Sequence, residues 1–464
     1  MRKYPNILLI TVDQQRYDCI GYSKQYPVKT PNIDKLASEG MWFSNAYSHL
    51  PVCGPSRQSL INGRRPEAFG SLWNYNNGLK ISALEPSEYS WARELKSLNY
   101  QSGYIGKWGV HPTYDPTEYG YDEYIDEKQY DQFQKEKYPE IIFQNSYFGE
   151  NNPIPVEHSK THWTAEHAKT MIREMAQNDR PWHIRVNFSE PHLPCRPSKP
   201  FSEMYHPSEI PKWGSFEEDF SNKPYIQKQQ LMNWQIEDFT WNEWAPIVAR
   251  YYGIISQMDD AVGQIVATLE QLSLSEETIV IFTSDHGDLC GGHRMMDKHY
   301  VLYDDVVKVP LIIKWPNIIE ENQICNQLVY NFLDLPPTIF DWLDIPPPDF
   351  FVGRSLESLL VNKESIEWRN EIVSTYNGQQ FGLYTQRMIR NHDWKYIWNT
   401  TDIDELYDLR NDPYELKNCI DDISHQVILS ELREKLYWQL YKEGDGLVRS
   451  DWLKTQLLKG RKLT

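Results

Sequence analysis

The sequence predicts an α/β fold: a mostly parallel central sheet flanked by helices, with a smaller α+β subdomain at the C-terminus. Three observations carry this expectation. Apolar, β-branched runs without alternation recur along the chain, the pattern of strands buried on both faces. Stretches with helical spacing separate them, which makes a parallel sheet the natural arrangement. Four of these runs end in metal- or anion-competent side chains, as expected where the carboxyl ends of parallel strands border a ligand crevice.

Taken in order, Ile7 to Val12 is the first strand, closed by Asp13 and Gln14. Thr30 to Gly40 reads as a short helix ended by its glycine. The turn Val52-Cys53-Gly54-Pro55-Ser56-Arg57 then runs into a helix carrying Gln58 to Asn62, with Ser56 as its cap. Cys53 falls just outside that helix N-terminus, where backbone N–H groups and the dipole favour an anion. Arg57 adds a bidentate anion donor beside it. Ser87 to Leu98 is amphipathic, with Trp91, Leu95 and Leu98 on one face. A strand over Gln101 to Ile105 follows and leads into Gly106-Lys107.

Residues 113–160 show no clean period and read as a long surface insertion. Thr161 to Gln177 is a helix, and His183 to Phe188 a buried strand followed by Glu190-Pro191-His192. The irregular stretch 195–243 is a second insertion, of the kind that shapes a pocket rim. Trp244 to Leu272 is a long helix, and Thr278 to Thr283 a strand leading to Asp285-His286-Gly287. Val309 to Lys314 is a further strand, and Leu333 to Leu343 a helix despite its two prolines. The proline-rich start at Pro346 marks residues 346–368 as a linker, so the expected division is 1–345, linker, and 369–464. In the last part Glu371 to Ser374, Gly382 to Thr385 and Trp394 to Trp398 read as short strands, covered by a helix over Gln426 to Glu443.

Composition narrows the function. A chain of 464 residues with 40% hydrophobic and 24% charged residues has material for one large core and a smaller appended one. Its 65 acidic against 47 basic residues give a net charge of −18, which argues against nucleic acid and anionic membranes as partners. The six cysteines lack C-x-x-C pairs and a dense framework, against a zinc cluster or disulfide scaffold. The opening apolar run is too short for a signal-peptide core, and no run reaches membrane-span length. A cytoplasmic location is the expectation, or export if a signal has been trimmed.

Asp13-Gln14 and Asp285-His286 together offer two carboxylates, an amide oxygen and an imidazole, a set that can hold a divalent cation against a bound oxyanion. A polar pair ending a buried strand needs such a partner.

The string Cys53-Gly54-Pro55-Ser56-Arg57 resembles the maturation signature of the type I sulfatases, of the alkaline-phosphatase-like superfamily. The resemblance extends through Thr30-Pro31-Asn32-Ile33-Asp34-Lys35-Leu36, the stretch from His293 to Pro310, and Glu405-Leu406-Tyr407-Asp408-Leu409. It implies that a formylglycine-generating maturation enzyme oxidises Cys53, and that the hydrated aldehyde is the nucleophile. It also implies that Asp13, Gln14, Asp285 and His286, with residue 53, bind the metal. Many members have Asp where Gln14 stands and Asn where His286 stands. Calcium is usual in the family, but an imidazole is softer than calcium prefers, so magnesium or manganese stays open.

Lys107 and Lys298 match the lysines that contact sulfate, and His192 the histidine near the leaving oxygen. The family often has a second histidine where this chain has Gly109; His111 is the substitute expected as base. The function implied is hydrolysis of a sulfate monoester, with sulfated carbohydrate the foremost substrate class. A phosphonate monoester hydrolase or phosphodiesterase of the same superfamily is the first alternative. A sulfated-glycan-binding protein with Cys53 unconverted is the second. Gln379, Gln380 and Arg387 are expected at the pocket rim.

Overall fold

The eight residues of strand β1, Asn6–Asp13, are all buried. Leu8, Ile10 and Val12 pack on one side of the sheet and Ile7 and Leu9 on the other, which is why the run does not alternate in polarity. The computed structural model describes residues 4–75, 82–144, 146–361, 367–379 and 382–460. After β1 come β2 (Met41–Phe43), β3 (Ala46–Tyr47), β4 (Gln101–Gly106), β5 (Glu123–Asp126) and β6 (Trp182–Pro191). Then follow β7 (Thr278–Ser284), β8 (Lys308–Val309), β9 (Leu311–Lys314), β10 (Gln323–Cys325) and β11 (Val329–Tyr330).

Eight of these form the central sheet in the order β10-β2-β9-β7-β1-β6-β4-β5. Only β9 runs against its neighbours β7 and β2; the remaining pairs are parallel. The mostly parallel sheet is therefore as expected.

Helices cover both faces. On one lie α1 (Pro31–Ser38), α5 (Lys160–Met175) and α7 (Trp241–Gln271), sharing a cluster that includes Leu36, Ile172 and Val262. The 31-residue α7 opens with a capping box in which Glu243 accepts the Thr240 N–H. On the other face Leu60 of α2 (Cys53–Asn62), Trp91 of α3 (Trp91–Ser97) and Phe332 of α9 (Asn331–Trp342) pack together.

A second sheet holds β12 (Ile372–Tyr376), β13 (Gln386–Arg390), β14 (Trp394–Asn399) and β15 (Glu405–Asp408), antiparallel in sequence order. Val373, Ile389, Trp398 and Leu406 pack under α11 (Gln426–Lys442). Its other side, with Tyr376, Met388 and Tyr407, joins the core around Tyr300 and Tyr303 of the part that holds the central sheet. Within 346–368, Leu356 and Leu360 are buried against the α9 side of the core.

Four local expectations need correction. The insertion 113–160 supplies the edge strand β5 and helix α4 (Lys128–Lys137); β5 is only half-buried and so lacks an apolar signature. The stretch 195–243 contains α6 (Tyr225–Trp234). The strand expected over Gly382 to Thr385 lies instead at Gln386–Arg390. Ser56 is inside α2 rather than at its cap, and Val52 holds the cap position.

Candidate active site

The site forms where the middle strands run out. β1 ends at Asp13, and Gln14 takes a left-handed conformation at φ +70°. That turn sends the Gln14 N–H to Asp285 Oδ1 at 3.2 Å, tying the ends of β1 and β7 together. At the end of β4, Gly106 has φ +93°, and a Cβ there would meet the Asn187 carbonyl oxygen at 2.0 Å. Only glycine lets this strand end lie so close to β6, and Lys107 follows at once. Cys53 is the first residue of α2, at the positive end of the helix dipole. The Gly54 N–H is satisfied by Asn74 Oδ1 at 2.8 Å.

Asp13, Cys53, Asp285 and His286 converge there, with one ligand atom from each lying within 4.8 Å of all the others. Cys53 Sγ is 3.5 Å from Asp13 Oδ1 and 3.2 Å from His286 Nε2. The Gly287 carbonyl accepts from His286 Nδ1 at 2.9 Å, so Nε2 is the atom that faces the thiol and both carboxylates. Burial, together with the charge of Asp13, pushes the Asp285 carboxyl up, while His286 and Arg57 pull it back. Two carboxylates, an imidazole nitrogen and the residue 53 side chain form a donor set that fits a divalent cation.

Cations surround the set. The fully buried Arg57 donates from Nε to Asp285 Oδ2 at 2.9 Å and from Nη2 to Asp13 Oδ2 at 3.1 Å. Its Nη1 reaches the Lys107 carbonyl and Asn187 Oδ1. Lys107 Nζ lies 2.5 Å from Asp13 Oδ2. Burial and the Asp13 carboxylate push the Cys53 thiol up, but Lys298, Lys107 and His286 together outweigh them and hold it well below the usual thiol range.

Lys298 Nζ donates to Gln14 Oε1 at 2.7 Å and to His192 Nε2 at 3.0 Å. The Gln14 amide is fixed in turn because its Nε2 donates to both Asp288 and Asp297 at 2.9 Å. Gln14, expected among the metal ligands, thus gives its oxygen to Lys298.

Of the residues singled out by sequence, Asp13, Gln14, Cys53, Arg57, Lys107, His192, Asp285, His286 and Lys298 come together. His111 stands apart: its Nδ1 accepts from Thr113 and Tyr114, and its Nε2 is 3.8 Å from Glu85. Gln379 lies near the site, accepting the Asn74 N–H at 3.1 Å. Arg387 does not; it is buried in an ion pair with Asp445 at 2.5 Å. Gln380 lies outside the described residues. Sequence reading missed Asn74 and Asn187, whose partners Gly54 and Arg57 are 20 and 130 positions away.

Comparisons with known proteins show the family. The family model described as Sulfatase matches residues 5–345. The one described as N-sulphoglucosamine sulphohydrolase, C-terminal, matches residues 291–442. An uncharacterized sulfatase, YidJ, of Escherichia coli is 30% identical over 97% of this chain and 90% of its own length. An N-acetylglucosamine-6-O-sulfatase of Bacteroides thetaiotaomicron is 25% identical over 99% and 90%. The crystal structure of a phosphonate monoester hydrolase of Agrobacterium radiobacter superposes with a TM-score of 0.81 at 25% identity, covering 95% of this chain and 96% of that one. Matched over most of its length and carrying the cluster built around Cys53, the chain belongs to the sulfatase family and is a hydrolase.

Proposed function

We propose that this protein hydrolyses the sulfate monoester of a sulfated carbohydrate, using a formylglycine made from Cys53 by a maturation enzyme. The carrying observation is the convergence of Arg57, Lys107, Lys298 and His286 on one buried thiol at a helix N-terminus. When present, the cation supplies charge against the sulfuryl oxygens and formylglycine hydrate supplies the attacking hydroxyl.

The side chains do the rest. Arg57 fixes Asp13 and Asp285 in the positions that would hold the cation, with His286 Nε2 beside them. The Lys107 and Lys298 ammonium groups stand where charge builds on the transferred group. His192 is held by the Leu193 carbonyl at Nδ1 and accepts from Lys298 at Nε2, so Nε2 would carry a proton to the leaving alkoxide once the Lys298 ammonium turns to the bound sulfate. His111, with its partners elsewhere, is given no part.

Calcium is the ion proposed from the family resemblance. The nitrogen donor of His286 moves preference toward manganese relative to an all-oxygen set, so metal analysis of the purified protein would separate the two.

A second reading, phosphonate monoester hydrolysis, is favoured by the likeness to the Agrobacterium enzyme. Two measurements decide. Peptide mass spectrometry on native-host protein should show residue 53 as the aldehyde, and an unmodified thiol in folded, active protein would overturn the proposal. kcat/KM should be higher for an aryl sulfate than for the matching aryl phosphonate; the reverse order selects the second reading.

A further inference from the structure

Gln14 is the residue whose part the structure moves furthest from expectation. Its side chain is buried, and the contacts recorded for its carboxamide are all to charged groups. The two hydrogens on Nε2 go to Asp288 Oδ2 and Asp297 Oδ1, both at 2.9 Å, and Oε1 accepts from Lys298 Nζ at 2.7 Å. The oxygen and nitrogen ends of an amide have nearly the same shape, so hydrogen-bond partners decide which way it points. Two carboxylates on one side leave a single orientation, with the oxygen toward the ammonium.

Each carboxylate is itself fixed. Asp288 accepts the Cys290 N–H at its other oxygen, Oδ1, at 2.9 Å. Asp297 is held at φ +67°, and its Oδ2 lies 3.1 Å from His299 Nε2. His299 Nδ1 is in turn 3.2 Å from the Tyr376 hydroxyl of β12. A non-glycine residue in the left-handed region costs backbone energy and persists where its surroundings over-determine it. A carboxylate at position 14 would put three like charges together here, so an amide is what the Asp288–Asp297 pair requires.

The consequence falls on Lys298. Its ammonium gives one N–H to Gln14 Oε1 and one to His192 Nε2, while Asp297 Oδ1 lies 3.5 Å from the same nitrogen. Gln14 and Asp297 therefore hold the ammonium from one side, and His192 is the contact that a bound sulfate would replace. Lys298 keeps its three protons throughout; only the acceptor that one N–H faces changes.

We propose that Asp288 and Asp297 are positioning residues: they clamp the Gln14 carboxamide so that its oxygen aims Lys298 at the sulfuryl group, and residue 14 serves the substrate anion instead of the metal. The proposal rests on the sulfatase reading and gives a part in it to two carboxylates outside the metal-binding cluster.

The test is a two-residue cycle on matured, metal-loaded protein, read by kcat/KM on one aryl sulfate and by inhibition with inorganic sulfate. In Asp288→Asn, whichever way the new amide turns, its N–H2 group meets either the Cys290 N–H or Gln14 Nε2. Gln14 relieves this by turning over, which brings its own Nε2 against Lys298. Loss of a hydrogen bond to a charged group should lower kcat/KM about 10- to 100-fold and raise the inhibition constant of inorganic sulfate by a similar factor. Gln14→Glu alone should be impaired likewise, because its carboxylate faces Asp288 and Asp297. In the double variant the carboxylate at 14 accepts from the amide at 288 and from Lys298, so kcat/KM should lie about 10-fold above what the two single losses predict together. If Gln14 held the metal, Asp288 would be its supporting partner, and Asp288→Asn would weaken Mn2+ binding to the metal-stripped protein by about 10- to 100-fold in calorimetry. The clamp leaves that affinity close to wild type. Additive losses, an unchanged sulfate inhibition constant in both single variants, or Mn2+ affinity lost to that extent overturns the proposal and leaves the sulfatase reading standing. Should Asp288→Asn not fold, Gln14→Glu alone decides: weaker sulfate inhibition with Mn2+ affinity kept supports the clamp, and tighter Mn2+ binding with sulfate inhibition kept overturns it. Wild type that cleaves aryl phosphonate and no sulfate overturns the underlying reading, and inorganic phosphate then replaces sulfate as the inhibitor that decides the clamp.

Discussion

Charge is buried in two regions of this molecule, and it is buried differently in each. Where the second sheet meets the catalytic body, Lys395 lies between Asp304 at 2.7 Å and Glu415 at 2.5 Å, and Arg390 reaches Asp304 at 2.8 Å. Nearby Lys223 meets Glu218 at 3.1 Å and donates to the Tyr407 hydroxyl. These groups close on one another. At the carboxyl edge of the central sheet, Arg57 and Lys107 instead share Asp13, and Lys298, 3.5 Å from Asp297, also donates to an amide and an imidazole. The carboxylates there also face a thiol and an imidazole. Buried charge alone therefore marks nothing; a site is marked by charges that converge on one reactive atom instead of only closing on one another.

The largest expected effect follows directly. Cys53→Ala should abolish turnover while circular dichroism and melting temperature stay close to wild type, since the thiol is small and packs without a disulfide. Retained activity would dissolve the distinction between the two regions. Next comes His192→Gln. A general acid contributes about 10²–10⁴-fold, and it matters most when the leaving alkoxide is basic. The loss should be near the top of that range for an alkyl sulfate and near the bottom for a nitrophenyl sulfate. Equal losses on both would show that His192 acts only by holding Lys298.

The other region should answer in the opposite currency, stability. Lys395→Met leaves Asp304 and Glu415 buried with a cation missing, a change that typically costs about 3–5 kcal/mol. A lower melting temperature with kcat unchanged per folded molecule is expected. A selective fall in kcat would mean that this junction positions the site after all.

How much of this was legible in the sequence depends on distance along the chain. Asp13 and Asp285-His286 stand out because a polar group directly follows a β-branched run that can only be a buried strand. Lys107 is flagged by the glycine before it, and Arg57 by the helix it enters. The strand at β13 was misplaced because Gln386, Arg387 and Arg390 look like surface residues. They are buried, with partners Asn399, Asp445 and Asp304 that lie far from them in sequence. Asn74 and Asn187 were unreadable for the same reason. The half-buried edge strand β5 carries no period at all, yet its end places Glu127 in the cavity beside the reaction centre.

The smallest effect tests a third way of burying charge, a carboxylate held by backbone and amide donors with no cation. Asp259 of α7 accepts from the Ile33 N–H at 2.7 Å, the Asn32 N–H at 3.1 Å and Asn32 Nδ2 at 2.8 Å, and so caps the first turn of α1. Burial outweighs these bonds and raises its carboxyl to about 6. A raised carboxyl binds its proton more tightly when folded. The stability it contributes is complete below the unfolded value of 3.8 and is lost as pH rises through about 6. Asp259→Asn removes the titration. The melting temperature of wild type minus variant should therefore be greater at pH 4.5 than at pH 7, by about 1–3 °C in a chain of this length. A gap that is constant, or that widens toward neutral pH, would show that the three backbone and amide donors win over burial and that the cap is held by an ionised group.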